Sequence, residues 1–314
     1  MNFHLFPEQA SSIASESDWM FWALTGLSAL ICVLVFLPLC WFALKYRRGR
    51  KVDRKMEDLP TWKIELTWTL IPFVLCMGIF AWSAEVFFRM ETPPPDALEV
   101  NVVGKQWMWK LQHAEGAREI NELHVPTGRP VKLMMTSQDV IHDFYVPAFR
   151  MKQDVVPGRY TTQWFVPTKP GRYRIFCAQY CGTTHSAMGG WAYVMEPHDY
   201  ERWLAQGSPE PMAVQGETLF RRLGCTGCHS PGSKIHAPPL EGLYGRLVPL
   251  ETKEFVTAND QYIRDSILLP ASQITAGYQN LMPSFKGHIS EEEIMQLIAY
   301  IKSIANKTPE GYSR

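Results

Sequence analysis

The chain predicts three parts in series: a two-helix transmembrane hairpin, an all-β sandwich and an all-α C-terminal domain. Three observations predict this order. Two long apolar blocks stand near the N-terminus, 19–44 without a charge and 64–88 with only Glu65 and Glu85. From 98 to 195, short runs rich in β-branched and aromatic residues alternate with Pro and Gly turns. Beyond 212, helix-compatible segments flank a Cys-Thr-Gly-Cys-His motif at 225–229.

Each apolar block exceeds the roughly 20 residues a helix needs to cross a bilayer. A cleaved leader is the competing reading of the first block. It is too long for that, Trp residues stand at both its ends, and no basic segment precedes it. The segment between the blocks, KYRRGRKVDRKMEDLPTWK, has an excess of Lys and Arg. That bias assigns it to the cytoplasm, so both termini and everything after Phe88 are expected on the outer side of a two-pass protein. Thirty-one basic and 31 acidic residues balance, so no global basic surface argues for nucleic acid.

Within the β region, segments such as LEVNVV, PVKLMM, YTTQWFV and RYRIF read as strands of an antiparallel sandwich or barrel of about 100 residues. The loop after RYRIF reads CAQYCGTTHSAM, with Cys177, Cys181, His185 and Met188. Thiolate, imidazole and thioether are the soft donors that copper prefers. One thiolate with histidines and a weak Met would suggest a mononuclear site. Two thiolates at this spacing suggest two coppers bridged by both sulfurs, and His142 in DVIHDFYVP is the best-placed second imidazole. Three other cysteines, Cys32, Cys40 and Cys76, lie in the spans, where a thiol acts as a small hydrophobe. A disulfide framework is the ordinary expectation for an exported domain. Here both outer cysteine pairs fall inside ligand motifs instead.

HDYERWLA reads as a short helix and QGSPEPMAVQ as a linker. Cys225, Cys228 and His229 then form C-x-x-C-H, the attachment signature of a c-type haem. Two thiols take up the porphyrin vinyl groups, and the next residue places an imidazole under the iron. Near the C-terminus, Ser290 and Glu293 fit a capping box. Ile294, Leu297, Ile298 and Ile301 make an apolar stripe at helical spacing. Met295, on that helix, reads as gap-filling core. His236 and His288 receive no role.

The segments VIHDFYVPAF and CAQYCGTTHSAMGGW resemble the dinuclear copper (CuA) domain of cytochrome c oxidase subunit II. Over nearly its whole length the chain resembles a bacterial subunit II with a fused class I cytochrome c. The resemblance implies a cupredoxin fold for 96–196, a short helix and linker at 197–211, and a cytochrome c domain over 212–314, after an N-terminal part at 1–91. It implies copper ligands Cys177, Cys181, His185, Met188, His142 and the backbone carbonyl of Gln179. Family members often carry Glu where Gln179 stands, and that carboxylate also helps bind magnesium. A neutral amide is a poorer ligand for a hard cation, which places the magnesium site in doubt. On the cytochrome side, APPLEGLYGR resembles the loop whose proline carbonyl, here that of Pro238, accepts from the ring of the iron-binding His229. LMPSF has the family's Met-Pro pattern, which makes Met282 the sixth iron ligand. A Met/His pair raises a haem potential.

Two further roles follow from the same resemblance. KQWMWK holds Trp107 and Trp109, which would share one face if both lay in a strand. Core packing is the plain reading; the family's electron-entry patch favours Trp107. Glu65, in IELTWTLIP, suits a helix start by its charge. In the family this carboxylate marks the cytoplasmic mouth of a proton channel. The implied function is the electron-entry subunit of an oxygen-reducing, proton-pumping oxidase. Its partners are subunit I, other oxidase subunits and an external donor, in the inner membrane of a bacterium. A nitric oxide reductase subunit with similar modules stays open, as does a non-enzymatic copper protein or electron carrier. A quinol oxidase subunit lacks the copper ligands.

Overall fold

The computed structural model describes residues 6–53, 61–207, 210–230 and 232–305. The middle of the predicted cytoplasmic segment (54–60), two linker residues (208–209) and the tail beyond 305 lie outside the described residues. The chain divides into two compact units, one of residues 12–92 and one of the remainder.

The smaller unit is a pair of helices, α1 (Ala14–Lys45) and α2 (Trp62–Glu91). Both are long and apolar enough to cross a membrane. Large apolar side chains such as Leu34, Phe36, Phe73 and Phe80 lie exposed on them, as suits helices solvated by lipid. Glu16 near the start of α1 forms an ion pair with Arg89 near the end of α2, so the two helices meet as a hairpin.

In the larger unit, ten strands build a two-sheet sandwich: β1 (Leu98–Lys105), β2 (Met108–His113), β3 (Arg118–Ile120), β4 (Glu122–Pro126), β5 (Val131–Ser137), β6 (His142–Val146), β7 (Met151–Val155), β8 (Thr161–Phe165), β9 (Gly171–Cys177) and β10 (Gly189–Met195). One sheet runs β3-β2-β1-β5-β8 and the other β4-β10-β9-β6-β7. The sequence reading of an antiparallel sandwich needs correction, because β1–β5 and β4–β10 pair in parallel. Each parallel pair joins strands distant in the chain, and the intervening strands cross between the sheets to return in the same direction. Leu133, Met135, Phe144, Val146, Ile175 and Trp109 fill the space between the sheets. Residues just before α1 join this sandwich rather than the hairpin: the Ala10 N–H donates to the Ala148 carbonyl at 2.9 Å.

After β10 come α3 (Pro197–Gly207), α4 (Met212–Arg222), the short α5 (Thr226–His229), a small ribbon of β11 (Leu247–Pro249) and β12 (Phe255–Thr257), α6 (Asp260–Leu268) and α7 (Glu291–Ser303). The capping box forms as read, with Ser290 Oγ accepting from the Glu293 N–H and the Glu293 carboxylate accepting from the Ser290 N–H. Ile294, Leu297, Ile298 and Ile301 are buried against Leu219, Phe220, Ile263 and Ile267. First and last helices cross here, and Gly216 makes the crossing close. A Cβ at Gly216 would stand 1.9 Å from the Gln296 carbonyl oxygen.

Gly216→Val should force α4 and α7 apart and cost about 2 kcal/mol, typical of overpacking in a tight core. Denaturant unfolding followed by the helical signal of the C-terminal region would show a lowered midpoint. An unchanged midpoint would mean that the helices have room to spare.

Candidate copper and haem sites

Strand alternation aims the first cysteine. In β9, Tyr173, Ile175 and Cys177 face inward while Arg172, Arg174 and Phe176 face out. In β6, His142, Phe144 and Val146 face inward, and Phe144 pairs with Cys177. His142, two residues before Phe144, is thereby brought to the cysteine. The loop 178–188 returns the remaining donors. It turns at Gly182, whose φ of +115° favours glycine. A Cβ there would also meet the Gln106 amide at 3.0 Å.

All six donors that the resemblance implied converge. Cys177 Sγ lies 3.8 Å from Cys181 Sγ. His142 Nδ1 stands 3.9 Å from Cys177 Sγ, and His185 Nδ1 3.5 Å from Cys181 Sγ. Met188 Sδ approaches Cys181 Sγ to 3.7 Å. The Gln179 carbonyl oxygen is 3.3 Å from Cys177 Sγ. His142, Cys177, Cys181 and Met188 are buried, and His185 is half-buried.

The electrostatics suit a cation. Burial raises a thiol, but the contacts of Cys177 with His142, with the Asp143 and Gln179 backbone and with His185 together outweigh it and hold this thiol below the ordinary range. Burial and the neighbouring Cys177 together push Cys181 up. Two thiolates cannot ionise side by side in a buried pocket unless positive charge is shared between them. Two sulfurs, two imidazole nitrogens, a thioether and a carbonyl form a soft set that fits copper.

Three supporting residues were not visible in the sequence. Asp139 Oδ1 accepts from His142 Nε2 at 2.8 Å, which leaves Nδ1 turned toward the sulfurs. The Gln106 N–H holds the other oxygen of Asp139 at 2.7 Å. Gly104 makes room, since a Cβ there would meet the His142 ring at 2.9 Å and Trp109 at 3.2 Å. Only the position of Asp139, three residues before His142, offered a signal.

Trp107 and Trp109 do not share a strand face. Trp107 lies in the turn between β1 and β2, and its indole N–H donates to the Cys181 carbonyl at 3.2 Å. Trp109 is in β2, fully buried, with its ring edge-on to His142 and Phe144. The turn breaks the two-residue alternation that would have aligned them.

In the C-terminal region, Cys225, Cys228, His229, Pro238 and Met282 line one cleft, with apolar walls that include Leu240 and Ile263. His229 Nδ1 donates to the Pro238 carbonyl at 3.0 Å, which leaves Nε2 as the ring's free donor atom. Burial raises the Cys225 thiol. Apolar walls, two thiols and a fixed imidazole fit a covalently held haem. His236 also lines the cleft and stacks on Tyr278, while Met295 and Met212 are buried side chains elsewhere. Glu65 occupies the first turn of α2, in the other compact unit.

Comparison with known proteins gives concordant matches. A family model described as cytochrome c oxidase subunit II, transmembrane domain, matches residues 1–86. The periplasmic domain of the same subunit matches 117–192, and cytochrome c matches 213–305. Cytochrome c oxidase subunit 2 of Alkalihalophilus pseudofirmus is 28% identical over 291 residues, covering 88% of this chain and 83% of that one. The alternative cytochrome c oxidase subunit 2 of Bradyrhizobium diazoefficiens is 32% identical over 245 residues, covering 65% of this chain and 86% of that one. The solved periplasmic domain of subunit II of cytochrome oxidase of Bradyrhizobium japonicum is 28% identical, covering 37% of this chain and 96% of that one, with a TM-score of 0.36.

Asp139→Ala should weaken copper retention by about 10- to 100-fold, the usual weight of a hydrogen-bond partner to a ligating histidine. Titration of the copper-loaded protein with a chelator would measure it, with the haem absorption as an internal control. Equal retention would show that Asp139 does not orient His142.

Proposed function

The chain belongs to the cytochrome c oxidase subunit II family, and on that premise we propose that it is the electron-entry subunit of a membrane haem–copper oxidase. The observation that carries this reading is the convergence of two thiols, two imidazoles, a thioether and a carbonyl in one buried pocket, in the same compact unit as the C-x-x-C-H cleft. Bound there, a dinuclear copper pair and a haem c would supply the one-electron relay from an external donor toward haem in subunit I, where oxygen is reduced to water and protons are pumped.

The residues of this chain bind, orient and exclude water. Cys177 and Cys181 would hold the metal as thiolates and balance its charge. His142, His185 and Met188 complete the donor set, with the Gln179 carbonyl. The buried setting limits solvent reorganisation when charge arrives or leaves. His229 is fixed by Pro238, and Met282, lining the same cleft, would supply a thioether to the haem iron.

Trp107 donates to the Cys181 carbonyl, which supports an electron-entry role at that surface. Glu65 opens α2 in the family's channel-mouth segment and is assigned a role in proton uptake. The protein sits in the bacterial inner membrane by its two apolar helices, with both termini and both centres on the periplasmic side. Its partners are subunit I, the remaining oxidase subunits and a reductase complex or small cytochrome.

Copper bound to the purified protein should give an electron paramagnetic resonance signal split by two equivalent nuclei; a four-line, single-copper spectrum would overturn the dinuclear assignment. Met282→Ala should lower the haem reduction potential and remove any thioether-to-iron absorption band, while the copper signal stays. Gentle solubilisation with the large partner, followed by oxygen and nitric oxide assays with a reduced donor, decides the terminal substrate. Oxygen turnover is the expected result, and nitric oxide turnover alone would replace the oxidase reading.

A further inference from the structure

The terminal helix α7 carries a second face that the haem cleft does not use. Its apolar stripe, Ile294, Leu297, Ile298 and Ile301, fills the core of the C-terminal region. Glu292, Met295, Ala299 and Lys302, at spacings of three, four and three, make a second stripe that meets the sandwich. At one end the Glu292 carboxylate accepts from Lys110 Nζ and from the Gln138 side-chain amide, each at 2.7 Å. In the middle, Met295 is buried in a cluster with Val103, Met134 and Met212, and Ala299 packs against it. At the other end Lys302 Nζ donates to Glu99 at 3.0 Å, and Lys132 donates to the same carboxylate at 3.3 Å. Glu99 and Val103 belong to β1, and Lys110 pairs with Val103 from β2. The helix therefore lies along β1, held by charge at each end and by methionines between.

The Glu292 end is the copper end. Gln138 is bonded to it, and the next residue, Asp139, holds His142. Other contacts pin the same region. Arg264 donates to the Gly158 carbonyl at 3.0 Å, and the Gln261 side chain accepts from the Tyr160 N–H at 2.9 Å. The chain also docks as soon as it leaves the linker, where the Met212 N–H donates to the Ala114 carbonyl at 2.9 Å.

We propose that this face of α7 is a positioning rail, which fixes the haem-bearing helices on β1 at one register beside the copper ligands. Charge then passes between the centres from a docked geometry, not after a search by a loosely tethered domain. This rests on the electron-entry reading above. Glu292 is a positioning residue in this scheme, since it touches neither set of ligands.

The test uses the full chain, loaded with copper and haem, in detergent. The haem is reduced by a light pulse through a ruthenium dye, and transfer to copper is followed with rising glycerol. Amide hydrogen exchange along β1, β2 and α7 is measured in parallel. In the parent protein the transfer rate should not depend on viscosity. Glu292→Lys and Lys110→Glu, singly, should slow transfer by about tenfold or more, the weight of one hydrogen bond to a charged group. Each should also make transfer viscosity-dependent and speed exchange along β1 and α7. The double swap should restore all three, with copper and haem spectra unchanged throughout. A parent rate that falls in proportion to viscosity, or single variants with parent rates and exchange, would overturn the rail. If the loaded parent shows no transfer at all while exchange still answers to the charge swap, the electron-entry reading falls and the docked register stands.

Discussion

Everything at the candidate copper site depends on the inward face of β9. Because side chains alternate along a strand, burying Tyr173 and Ile175 also buries Cys177 at the strand's end. The pairing of Phe144 with Cys177 then brings His142 to the sulfur from the neighbouring strand. A slip of one residue in either strand would turn a ligand to solvent and a charged residue into the core. The apolar packing of the sandwich thus fixes where Cys177 and His142 stand.

Burying two thiols in that packing is costly in the absence of a partner, and the surroundings are arranged to meet the cost. His142 helps to lower one thiol, and Asp139 fixes that imidazole. The second thiol is pushed up by burial and by its neighbour Cys177, so positive charge bound in the pocket would relieve the pair. Rigidity matters as much as charge. Gly104 and Trp109 confine the His142 ring, and the Cys181 carbonyl is held by both Gln106 and Trp107. A site confined in this way would change little in geometry when charge arrives or leaves, which suits the proposed electron-entry role.

Much of this was legible in the chain. The apolar blocks matched α1 and α2 in place, because helix length against a bilayer is a count of residues. The C-terminal capping box and apolar stripe appeared where the local pattern put them. The side chains that converge in the candidate site stood out because sulfur and imidazole at close spacing have few other uses. Less legible were features that rest on contacts between distant segments. The parallel strand pairs depend on crossovers between sheets, and no local signal separates them from hairpins. Trp107 and Trp109 part company because a turn interrupts the alternation. The polar end residues of the second α7 stripe, Glu292 and Lys302, look like a solvated face until the partners on β1 and β2 are seen.

Sequence alone determined the order of the three parts and which soft side chains were candidates for a metal site, since these follow from residue type and short-range spacing. Only the tertiary structure decided which imidazole meets which sulfur, which carboxylate and glycine hold His142 in place, and how the terminal helix lies on the sandwich. Those outcomes are set by strand register and by side chains far apart in the chain, whose proximity exists only once the core has packed.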